Sequence, residues 1–315
     1  MNTTKPDVFI VGPIYKPTLD ALDREFTTHK LWLAPDRKAL LASCAHRVRG
    51  IATTGFHGAD AALIDALPKL EIISCFGVGY DAVDVEAAKR RNVIVTNTPG
   101  VLNDAVADLT MGLIIAAARR IPQGDRYVRE GKWLREPQPL AQHVSGKRMG
   151  IIGLGRIGLD IARRALAFDM KIAYHSRHRV PESPFTYYER LIDLARNSDF
   201  LVAIVPGGDE TYHLVNEAVM RALGPKGILV NVARGSVVDE KALVKCLQDG
   251  TLGAAALDVF EEEPKVPEAL LSMDNVVMTP HVGSATPEAR GGMGQLTVDN
   301  LIAHFAGKPA LTPVT

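Results

Sequence analysis

The segment Gly153–Gly158 has the spacing G-x-G-x-x-G and stands between a short apolar run and a helical pattern. In such a position the glycines allow a tight turn at Gly153, close approach of the backbone to a pyrophosphate at Gly155, and helix-to-strand packing at Gly158. The amino terminus of the helix then offers free N–H groups and a positive dipole end to the phosphates. The pattern predicts a dinucleotide site, although a structural glycine turn or another nucleotide-like ligand also fits it.

The next predicted strand ends in Tyr174-His175-Ser176-Arg177-His178-Arg179, where an acidic residue would bind the ribose hydroxyls of NAD. No carboxylate stands there. A hydroxyl and two guanidinium groups suit a 2′-phosphate instead, because arginine matches phosphate oxygens and no acidic side chain repels them. Ser176 and Arg177 therefore predict NADPH (NADP+) in preference to NADH, and the plain alternative is a solvated basic loop.

Three later segments carry groups that could bind a carboxylate and move a proton: residues 231–236 (NVARGS), 258–264 (DVFEEEP) and 279–284 (TPHVGS). Arg234 and His281 each follow a predicted strand. Ligands bind at the carboxyl ends of parallel strands, so we expect both side chains in one crevice. The chain has nine histidines, and one chosen by spacing alone is more often structural or solvated than catalytic.

Short runs rich in Val and Ile, without polar alternation, predict strands that are covered on both faces. Helical patterns separate most of these runs, so the predicted fold class is α/β with parallel sheets. The runs are Val8–Val11, Ile72–Cys75, Val93–Val95, Met149–Ile152, Ile172–Tyr174, Phe200–Val205, Ile228–Val232, Ala254–Leu257 and Val276–Met278. They form two sets divided near Asn97–Gly100, which predicts two domains.

A helix is predicted from about Asn103 to Ile121, because apolar residues recur there at three- and four-residue intervals. The polar segment Pro122–Val144 follows without a clear strand, and we interpret it as an arm.

A second helix is predicted from about Thr286 to Ala306. Its residues Leu296, Ile302 and Phe305 are expected to face a core, and the spacing does not say which domain supplies that core.

The chain has 315 residues, of which 47% are hydrophobic, and its 36 Lys+Arg balance 36 Asp+Glu. This composition is that of a globular protein that can bury two cores. Balanced charge disfavours binding to nucleic acid or an anionic membrane through bulk electrostatics. The apolar segment Met111–Ala118 is much shorter than the roughly 20 residues that cross a bilayer, and the amino terminus lacks the pattern of an export signal.

The three cysteines, Cys44, Cys75 and Cys246, are distant from one another and form no C-x-x-C pair. We therefore expect no disulfide framework and no metal site, and a cytoplasmic location fits best.

Together these motifs resemble the D-2-hydroxyacid dehydrogenase family over nearly the whole chain, including Phe76-Gly77-Val78-Gly79-Tyr80-Asp81. Within that family the chain is most similar to NADPH-dependent glyoxylate/hydroxypyruvate reductases, especially the plant-type branch that also reduces hydroxyphenylpyruvate. The stretch 66–76 (ALPKLEIISCF) and the pair Ser176-Arg177 carry this closer match.

The resemblance implies two Rossmann- or flavodoxin-like domains. Residues 1–99 with 287–315 would form the substrate domain, and residues 100–286 the inserted NAD(P)-binding domain, with two long helices bridging them and the active site in the cleft. It also implies a homodimer formed through the cofactor domains, to which the arm contributes and in which Trp133 approaches the partner's cleft.

The resemblance also assigns the chemistry, which is hydride transfer to a 2-keto acid with a proton added to the forming alkoxide. His281 matches the general acid, since an imidazole exchanges protons near neutral pH. Glu263, ahead of its neighbours Glu261 and Glu262, matches the carboxylate that orients His281 and favours its protonated form. Arg234 would bind the substrate carboxylate and polarise the keto oxygen.

Further contacts follow by position. The N–H groups of Val78 and Gly79 would bind the substrate carboxylate, and Phe56 and His57 would face the substrate side chain. An aromatic ring there either restricts the pocket to glyoxylate and hydroxypyruvate, which we rank first, or stacks on a phenyl group. The other expected cofactor contacts, besides the glycines, Ser176, Arg177, Arg234 and His281, are Thr110, Leu154, Arg156, Ile157, Val205, Pro206, Thr211, Ala233, Asp258 and Gly283.

Three other functions compete with this interpretation. A dinucleotide-sensing corepressor of the same fold would bind the cofactor as a regulatory ligand, but the set Arg234, Glu263 and His281 would then have no use. A formate dehydrogenase would carry an amide where Glu263 stands, and phosphite oxidation belongs to the same outlying members of the family. A methyltransferase with a glycine-rich loop leaves the three late segments unexplained.

Overall fold

The computed structural model describes residues 5–315 and divides the chain into two compact units. The first unit comprises Met1–Leu102 and Thr286–Thr315, and the second unit, Asn103–Ala285, is inserted between those two segments. Residues 1–4, part of the amino-terminal segment in which we expect no export signal, lie outside the described residues. Both units are α/β structures with parallel sheets, which confirms the predicted fold class.

The secondary structure elements are named in chain order. The strands are β1 (Asp7–Ile10), β2 (Thr27–Lys30), β3 (Val48–Thr54), β4 (Ile72–Phe76), β5 (Ile94–Thr96), β6 (Arg148–Ile152), β7 (Lys171–His175), β8 (Thr186–Tyr187), β9 (Phe200–Ala203), β10 (Ile228–Asn231), β11 (Ala254–Leu257) and β12 (Val276–Met278). The helices are α1 (Lys16–Glu25), α2 (Arg37–Cys44), α3 (Ala61–Asp65), α4 (Val85–Arg90), α5 (Asn103–Arg119), α6 (Ile121–Arg129), α7 (Arg156–Leu166), α8 (Leu191–Arg196), α9 (Glu217–Leu223), α10 (Glu240–Gln248), α11 (Glu268–Leu271) and α12 (Pro287–Phe305).

The first unit contains a five-stranded parallel sheet in the order β2-β1-β3-β4-β5, which is the flavodoxin-like order. Helix α12 packs on β4 and α1, and the Ser74 hydroxyl donates to the Thr297 carbonyl at 3.0 Å. The helix buries Met293, Thr297 and Leu301 toward this unit. Ile302 is 40% exposed, so the prediction that it faces a core is wrong. It follows Leu301 and lies outside the helix face that carries the buried residues.

The second unit contains a seven-stranded parallel sheet in the order β12-β11-β10-β9-β6-β7-β8. Strand order reverses between β6 and β9, as it does in dinucleotide-binding folds. Helices α5 and α7 pack together against this sheet, and α8, α9 and α10 form a second group that packs with it. Alternate residues of the central strands, such as Leu201, Leu229 and Leu257, enter the core shared with the second group. The sheet is covered on both faces, which explains why its strands are apolar throughout.

All nine predicted strand regions are confirmed, but the sequence analysis missed β2, β3 and β8. Strands β2 and β8 are edge strands without a fully buried residue, so they lack an apolar run. In β3, Gly50, Thr53 and Thr54 interrupt the apolar pattern, although most of the strand is buried.

The arm expected at Pro122–Val144 is only partly irregular, because α6 occupies its first part. Within residues 5–315 no helix has the length and apolar character that crossing a membrane requires.

Candidate active site

Most of the predicted cofactor and catalytic residues follow the carboxyl ends of strands in the second unit. The parallel pairing aligns Ile152 of β6 with His175 of β7 on one side and with Ala203 of β9 on the other. The loops after these three strands are therefore neighbours, and those after β10, β11 and β12 continue the same edge. In open parallel sheets, ligands bind at this edge, beside the point where strand order reverses.

The glycine loop joins β6 to α7 with the geometry that a phosphate cradle needs. Gly153 has a φ of +97°, and a Cβ there would lie 2.6 Å from the Ile204 carbonyl oxygen. A Cβ on Gly158 would lie 2.2 Å from the Gly153 carbonyl oxygen, so this glycine lets the helix pack on the turn. No atom lies within 4 Å of a Cβ built on Gly155. Space is therefore open above the loop at Gly155.

Helix α7 begins without a side-chain cap, because its N-cap residue is Gly155. Arg156 and Ile157 form its first turn, and no acidic residue lies in that turn. An uncapped helix amino terminus presents unpaired N–H groups and the positive end of the helix dipole. Together with the buried Leu154, this turn provides a surface that fits a pyrophosphate.

Ser176 and Arg177 follow β7 at the same edge. The Ser176 hydroxyl donates to the His178 carbonyl at 2.5 Å. The backbone carbonyl of Ser176 accepts from the Tyr187 hydroxyl at 3.2 Å. The exposed Arg177 guanidinium forms an ion pair with Glu210, a residue of the loop after β9. This ion pair spans the loops on either side of the glycine loop.

The loop after β9 contains Val205, Pro206 and Thr211. The Thr211 hydroxyl donates to the carbonyls of Pro206 at 2.7 Å and Gly208 at 3.1 Å, which closes the loop. A Cβ on Gly153 would lie 2.7 Å from a methyl carbon of Val205, so this loop contacts the glycine loop directly.

Ala233 and Arg234 follow β10, and the side chain of Asn231 fixes their backbone. Asn231 accepts from the Ala233 N–H at 3.1 Å and donates to the Arg234 carbonyl at 2.9 Å. A Cβ on Gly235 would lie 1.9 Å from the Phe260 carbonyl carbon. Only a glycine at position 235 therefore allows the loop that carries Arg234 to pack on the segment that leads to Glu263.

Glu263 and His281 form the central pair of the site. His281 Nδ1 lies 2.7 Å from Glu263 Oε2, and Glu263 Oε1 accepts from the Phe260 N–H at 3.1 Å. The imidazole is 45% exposed and the carboxylate 19%. Burial acts to raise the pKa of Glu263, but the hydrogen bond and charge of His281, the Phe260 N–H and the Arg234 charge outweigh it and lower that pKa. Glu263 is thus an anion that faces the imidazole.

Asp258 holds the loop that carries His281. One of its oxygens accepts from the Thr279 hydroxyl at 2.6 Å and the Val282 N–H at 2.8 Å, and the other accepts from the Gly283 N–H at 2.8 Å. The Asp258 carbonyl accepts from the His281 N–H at 2.8 Å. Asp258 is buried, so the loop that carries His281 is fixed by hydrogen bonds on its buried side.

The structure separates the three consecutive glutamates. Glu261 pairs with His213, Glu262 is exposed, and only Glu263 contacts His281. This agrees with the preference for Glu263 over its two neighbours in the sequence analysis.

The predicted substrate-binding loop of the first unit follows β4. The Asn97 side chain donates to the Val78 carbonyl at 2.8 Å, and the Gly77 carbonyl accepts from the Thr98 N–H at 2.9 Å. Val78 and Gly79 are partly exposed. These bonds fix the backbone of the loop through its carbonyls.

Phe56 and His57 lie on the turn after β3 in the first unit. The Phe56 side chain is 62% exposed, and its ring contacts the His57 ring edge-to-face with a centroid distance of 5.2 Å. His57 Nδ1 lies 2.9 Å from the Thr54 hydroxyl. Burial, and after it the charge of Arg37, lowers the pKa of His57, which favours its neutral form.

Thr110 lies inside α5. Its side chain is buried, and its hydroxyl donates to the Val106 carbonyl at 2.7 Å. Val106 in turn contacts the His281 loop, because a Cβ on Gly283 would lie 3.5 Å from it.

The sequence analysis overlooked the side chains that brace these loops, notably Asn97, Asn231 and Glu240. Asn97 and Asn231 were visible as asparagines directly after strands, where side-chain bonds to the backbone are common. Arg290 of the first unit was also missed: its guanidinium lies 5.7 Å from the centre of the Phe76 ring, and burial lowers its pKa. No cluster of three or more potential metal ligands occurs in the described part of the chain.

Comparisons with known proteins agree with this geometry. A family model described as D-isomer specific 2-hydroxyacid dehydrogenase, NAD binding domain, matches residues 111–283. The chain is 53% identical to hydroxyphenylpyruvate reductase of Plectranthus scutellarioides and 48% identical to glyoxylate/hydroxypyruvate reductase A of Arabidopsis thaliana, each over 307 residues and 98% of both chains. The crystal structure of an NADPH-dependent glyoxylate/hydroxypyruvate reductase from Sinorhizobium meliloti, in complex with NADP and malonate, matches with a TM-score of 0.92 and 46% identity. That match covers 99% of this chain and 97% of that chain.

Proposed function

This chain belongs to the D-isomer specific 2-hydroxyacid dehydrogenase family and is an oxidoreductase, and we propose that it uses NADPH to reduce small 2-keto acids to D-2-hydroxy acids. Glyoxylate and hydroxypyruvate are the first-ranked substrates, and phenylpyruvate-type acids are secondary. The relatives described above are named for these activities. The single observation that carries the proposal is the 2.7 Å contact between His281 and an ionised Glu263 at the ligand-binding edge of the sheet.

The residues of the second unit fit a dinucleotide cofactor. The open space over Gly155 and the uncapped start of α7 would hold the pyrophosphate. The loop of Val205, Pro206 and Thr211 would lie beside the adenosine, and Ala233, Asp258 and Gly283 would lie beside the nicotinamide. We therefore assign the cofactor to the second unit and the substrate-specific residues Val78, Gly79, Phe56 and His57 to the first unit.

NADPH rather than NADH is the proposed cofactor because of the loop after β7. Arg177 provides an exposed guanidinium next to the Ser176 hydroxyl, and neither residue is an acid that would repel a 2′-phosphate. Arg177 already pairs with an anion, the carboxylate of Glu210. This pairing supports the proposal, because it places a carboxylate against the guanidinium at the edge of the sheet.

The mechanism follows from the charges at the site. NADPH held by the glycine loop and the neighbouring loops of the second unit would supply the hydride for the keto carbon. Arg234 binds the substrate carboxylate and polarises the keto oxygen, where negative charge develops during reduction. His281, protonated and paired through Nδ1 with Glu263, donates the proton from Nε2 to that oxygen. The Glu263 charge stabilises the imidazolium before transfer.

The corepressor alternative is not favoured, since His281, Glu263 and Arg234 are all present and His281 already pairs with Glu263. The named relatives are reductases.

We also propose that the protein is a cytoplasmic homodimer. Helix α6 has no buried residue. Several large apolar side chains of the arm are exposed, and Trp133, Leu134 and Leu140 are 68%, 92% and 99% exposed. Exposed apolar side chains of this size within one segment support an interface there. The three cysteines are free thiols, as is usual in a reducing compartment.

A matrix of initial rates tests the proposed function. NADPH and NADH are each combined with glyoxylate, hydroxypyruvate and phenylpyruvate, and the loss of reduced nicotinamide is followed by absorbance. We expect the highest kcat/KM with NADPH and one of the two small keto acids. Equal or better turnover with NADH would contradict the cofactor assignment, and no turnover with any acid would contradict the reductase assignment.

A further inference from the structure

Glu240 is a buried carboxylate that the mechanism above does not use. It is the first residue of α10, and only 8% of the residue is exposed. Its Oε1 accepts a hydrogen bond from the backbone N–H of Glu261 at 3.0 Å. A buried carboxylate is costly to keep unless it makes a specific interaction. The interaction here is with the peptide that leads into Glu263.

The acidic turn, defined as residues 259–265, is held by two carboxylates on adjacent peptides. Glu240 binds the Glu261 N–H, and Glu263 binds the Phe260 N–H through Oε1 at 3.1 Å. The other oxygen of Glu263 contacts His281. The backbone at Gly235 packs against the Phe260–Glu261 peptide and leaves no space for a Cβ. The direction of the Glu263 side chain thus depends on a peptide that Glu240 fixes.

We propose that Glu240 is a positioning residue: by holding the Glu261 N–H it fixes the acidic turn and aims the Glu263 carboxylate at His281. This inference rests on the proposed function, in which Glu263 and His281 act as one unit. The requirement is for an acceptor at this distance from α10, since the contact is a hydrogen bond to a neutral N–H. The length of the side chain matters more than its charge.

The charged groups around Glu240 come from three elements. The acidic turn contributes Glu261, Glu262 and Glu263, and burial together with their charges raises the pKa of Glu240. Asp239 precedes it on the chain, and His213 lies 3.9 Å from Asp239 and also pairs with Glu261. A change of charge at Glu240 therefore acts on Glu263 electrostatically, and this effect must be separated from positioning.

Three variants separate the two effects. Glu240→Asp keeps the charge but shortens the side chain, so the acceptor withdraws from the Glu261 N–H. Glu240→Gln keeps the length and an amide oxygen as acceptor but removes the charge. Glu262→Gln is the matched control, because it removes the same charge from an exposed position in the same turn.

The first measurement is the ¹⁵N chemical shift of His281 Nδ1 in the protein without cofactor, assigned by comparison with His281→Asn. We expect Glu240→Asp to move this signal toward that of an imidazole without a hydrogen bond at Nδ1, because the misdirected Glu263 no longer accepts from it. Glu240→Gln is expected to show only the smaller change that Glu262→Gln shows. This measurement does not require turnover, so it can fail while the reductase assignment holds.

The second measurement is the pH profile of kcat with NADPH and hydroxypyruvate. We expect Glu240→Asp to lower kcat about tenfold at neutral pH and to move the basic limb to lower pH, while the dissociation constant of NADPH changes less than about twofold. Glu240→Gln should retain most of the parent kcat.

A folded Glu240→Asp protein with the parent Nδ1 chemical shift and the parent kcat would overturn the proposal. So would a Glu240→Gln protein as impaired as Glu240→Asp, because charge would then be the cause. Hydrogen exchange at the Glu261 amide of the parent protein gives a test that needs no variant. A slowly exchanging amide supports the proposal, and rapid exchange overturns it.

Discussion

At the scale of single residues, His281 is held in an uncommon conformation. Its φ is +52°, in the left-handed region that non-glycine residues rarely adopt. The Asp258 carbonyl accepts the His281 N–H, and the Asp258 carboxylate holds the two N–H groups that follow and the Thr279 hydroxyl. Such local strain persists where the surroundings fix it, and it is concentrated at functional sites. The imidazole is thus aimed at Glu263 by the backbone as well as by its own hydrogen bond.

Motifs in the sequence indicate candidate site residues, but they do not indicate which side chains brace them. Arg234, Glu263 and His281 were visible as motifs after strands. The pairing of Glu263 with His281 agrees with the prediction, but the pairing of Glu261 with His213 and the contact of Glu240 with the same turn could not be predicted, because both depend on the conformation of the turn. The ion pair between Arg177 and Glu210 could not be predicted from the sequence either, since the two residues are 33 positions apart.

The Arg177–Glu210 pair predicts a specific effect on cofactor binding. In Glu210→Gln, Arg177 no longer has a competing anion, so we expect NADPH to bind about two- to fivefold more tightly, the range for an exposed ion pair. NADH affinity should be unchanged. Dissociation constants from fluorescence titrations check this, and unchanged or weaker NADPH binding would show that Glu210 does not compete with the phosphate.

Glu240 also predicts how stability depends on pH. Burial and the charges of the acidic turn raise its pKa in the folded state. As pH rises above the ordinary glutamate value, the unfolded chain releases this proton first, so this group lowers the folding stability as pH increases. Glu240→Gln lacks this effect. We expect the melting temperature of Glu240→Gln to rise relative to that of the parent as the pH increases from about 4 to about 7. If the difference between the two melting temperatures is constant across this range, the raised pKa of Glu240 is contradicted.

At the scale of elements, the loop between β6 and α7 shows what each glycine does. Gly158 contacts the Gly153 carbonyl oxygen, whereas space is open at Gly155. The turn at Gly153 and the packing at Gly158 agree with the motif, and the approach of a pyrophosphate at Gly155 stays a prediction. The strands that the sequence analysis did not predict are β2 and β8 at the sheet edges and β3, in which Gly50 and Thr53 interrupt the apolar pattern although both are buried. In β3, for example, the Thr53 hydroxyl donates to the Gly58 carbonyl at 2.6 Å.

Alanine substitutions in this loop should separate binding from stability. Gly155→Ala is expected to fold with nearly the parent melting temperature, because nothing lies near its Cβ, but to bind NADP+ at least about tenfold more weakly by blocking the pyrophosphate. Gly158→Ala, which places a Cβ 2.2 Å from the Gly153 carbonyl oxygen, is expected to lower the melting temperature by several degrees.

Calorimetric melting and isothermal titration with NADP+ provide both readouts. Parent-like NADP+ binding by Gly155→Ala would place the cofactor elsewhere.

At the scale of the whole molecule, the sequence predicted a chain of two parallel α/β units with one inserted in the other, and the structure contains both. The arm expected at Pro122–Val144 contains no strand, as predicted, but it does contain α6, which the sequence analysis did not foresee. No residue of this helix is buried, so it lacks the apolar stripe facing a core by which the other long helices were predicted.

The arm provides a prediction about assembly. Sedimentation velocity should give the parent protein the mass of a dimer. The double variant Leu134→Asp with Leu140→Asp is expected to be monomeric, because both side chains are more than nine-tenths exposed in one chain and charges there oppose apolar contact. Leu311→Asp, at an exposed leucine outside the arm, is the control and should remain dimeric. A dimer that survives the double variant would place the interface elsewhere.

The most direct test of the central claim is the rate of hydroxypyruvate reduction by His281→Ala, measured together with NADPH affinity. His304→Ala is the matched control, because His304 also pairs with a glutamate, Glu71, at 3.0 Å but lies in the first unit. The account predicts that His281→Ala loses about 10² to 10⁴ in kcat while NADPH affinity stays within about twofold, and that His304→Ala keeps the parent kcat. A His281→Ala protein that reduces hydroxypyruvate at close to the parent rate would contradict the account.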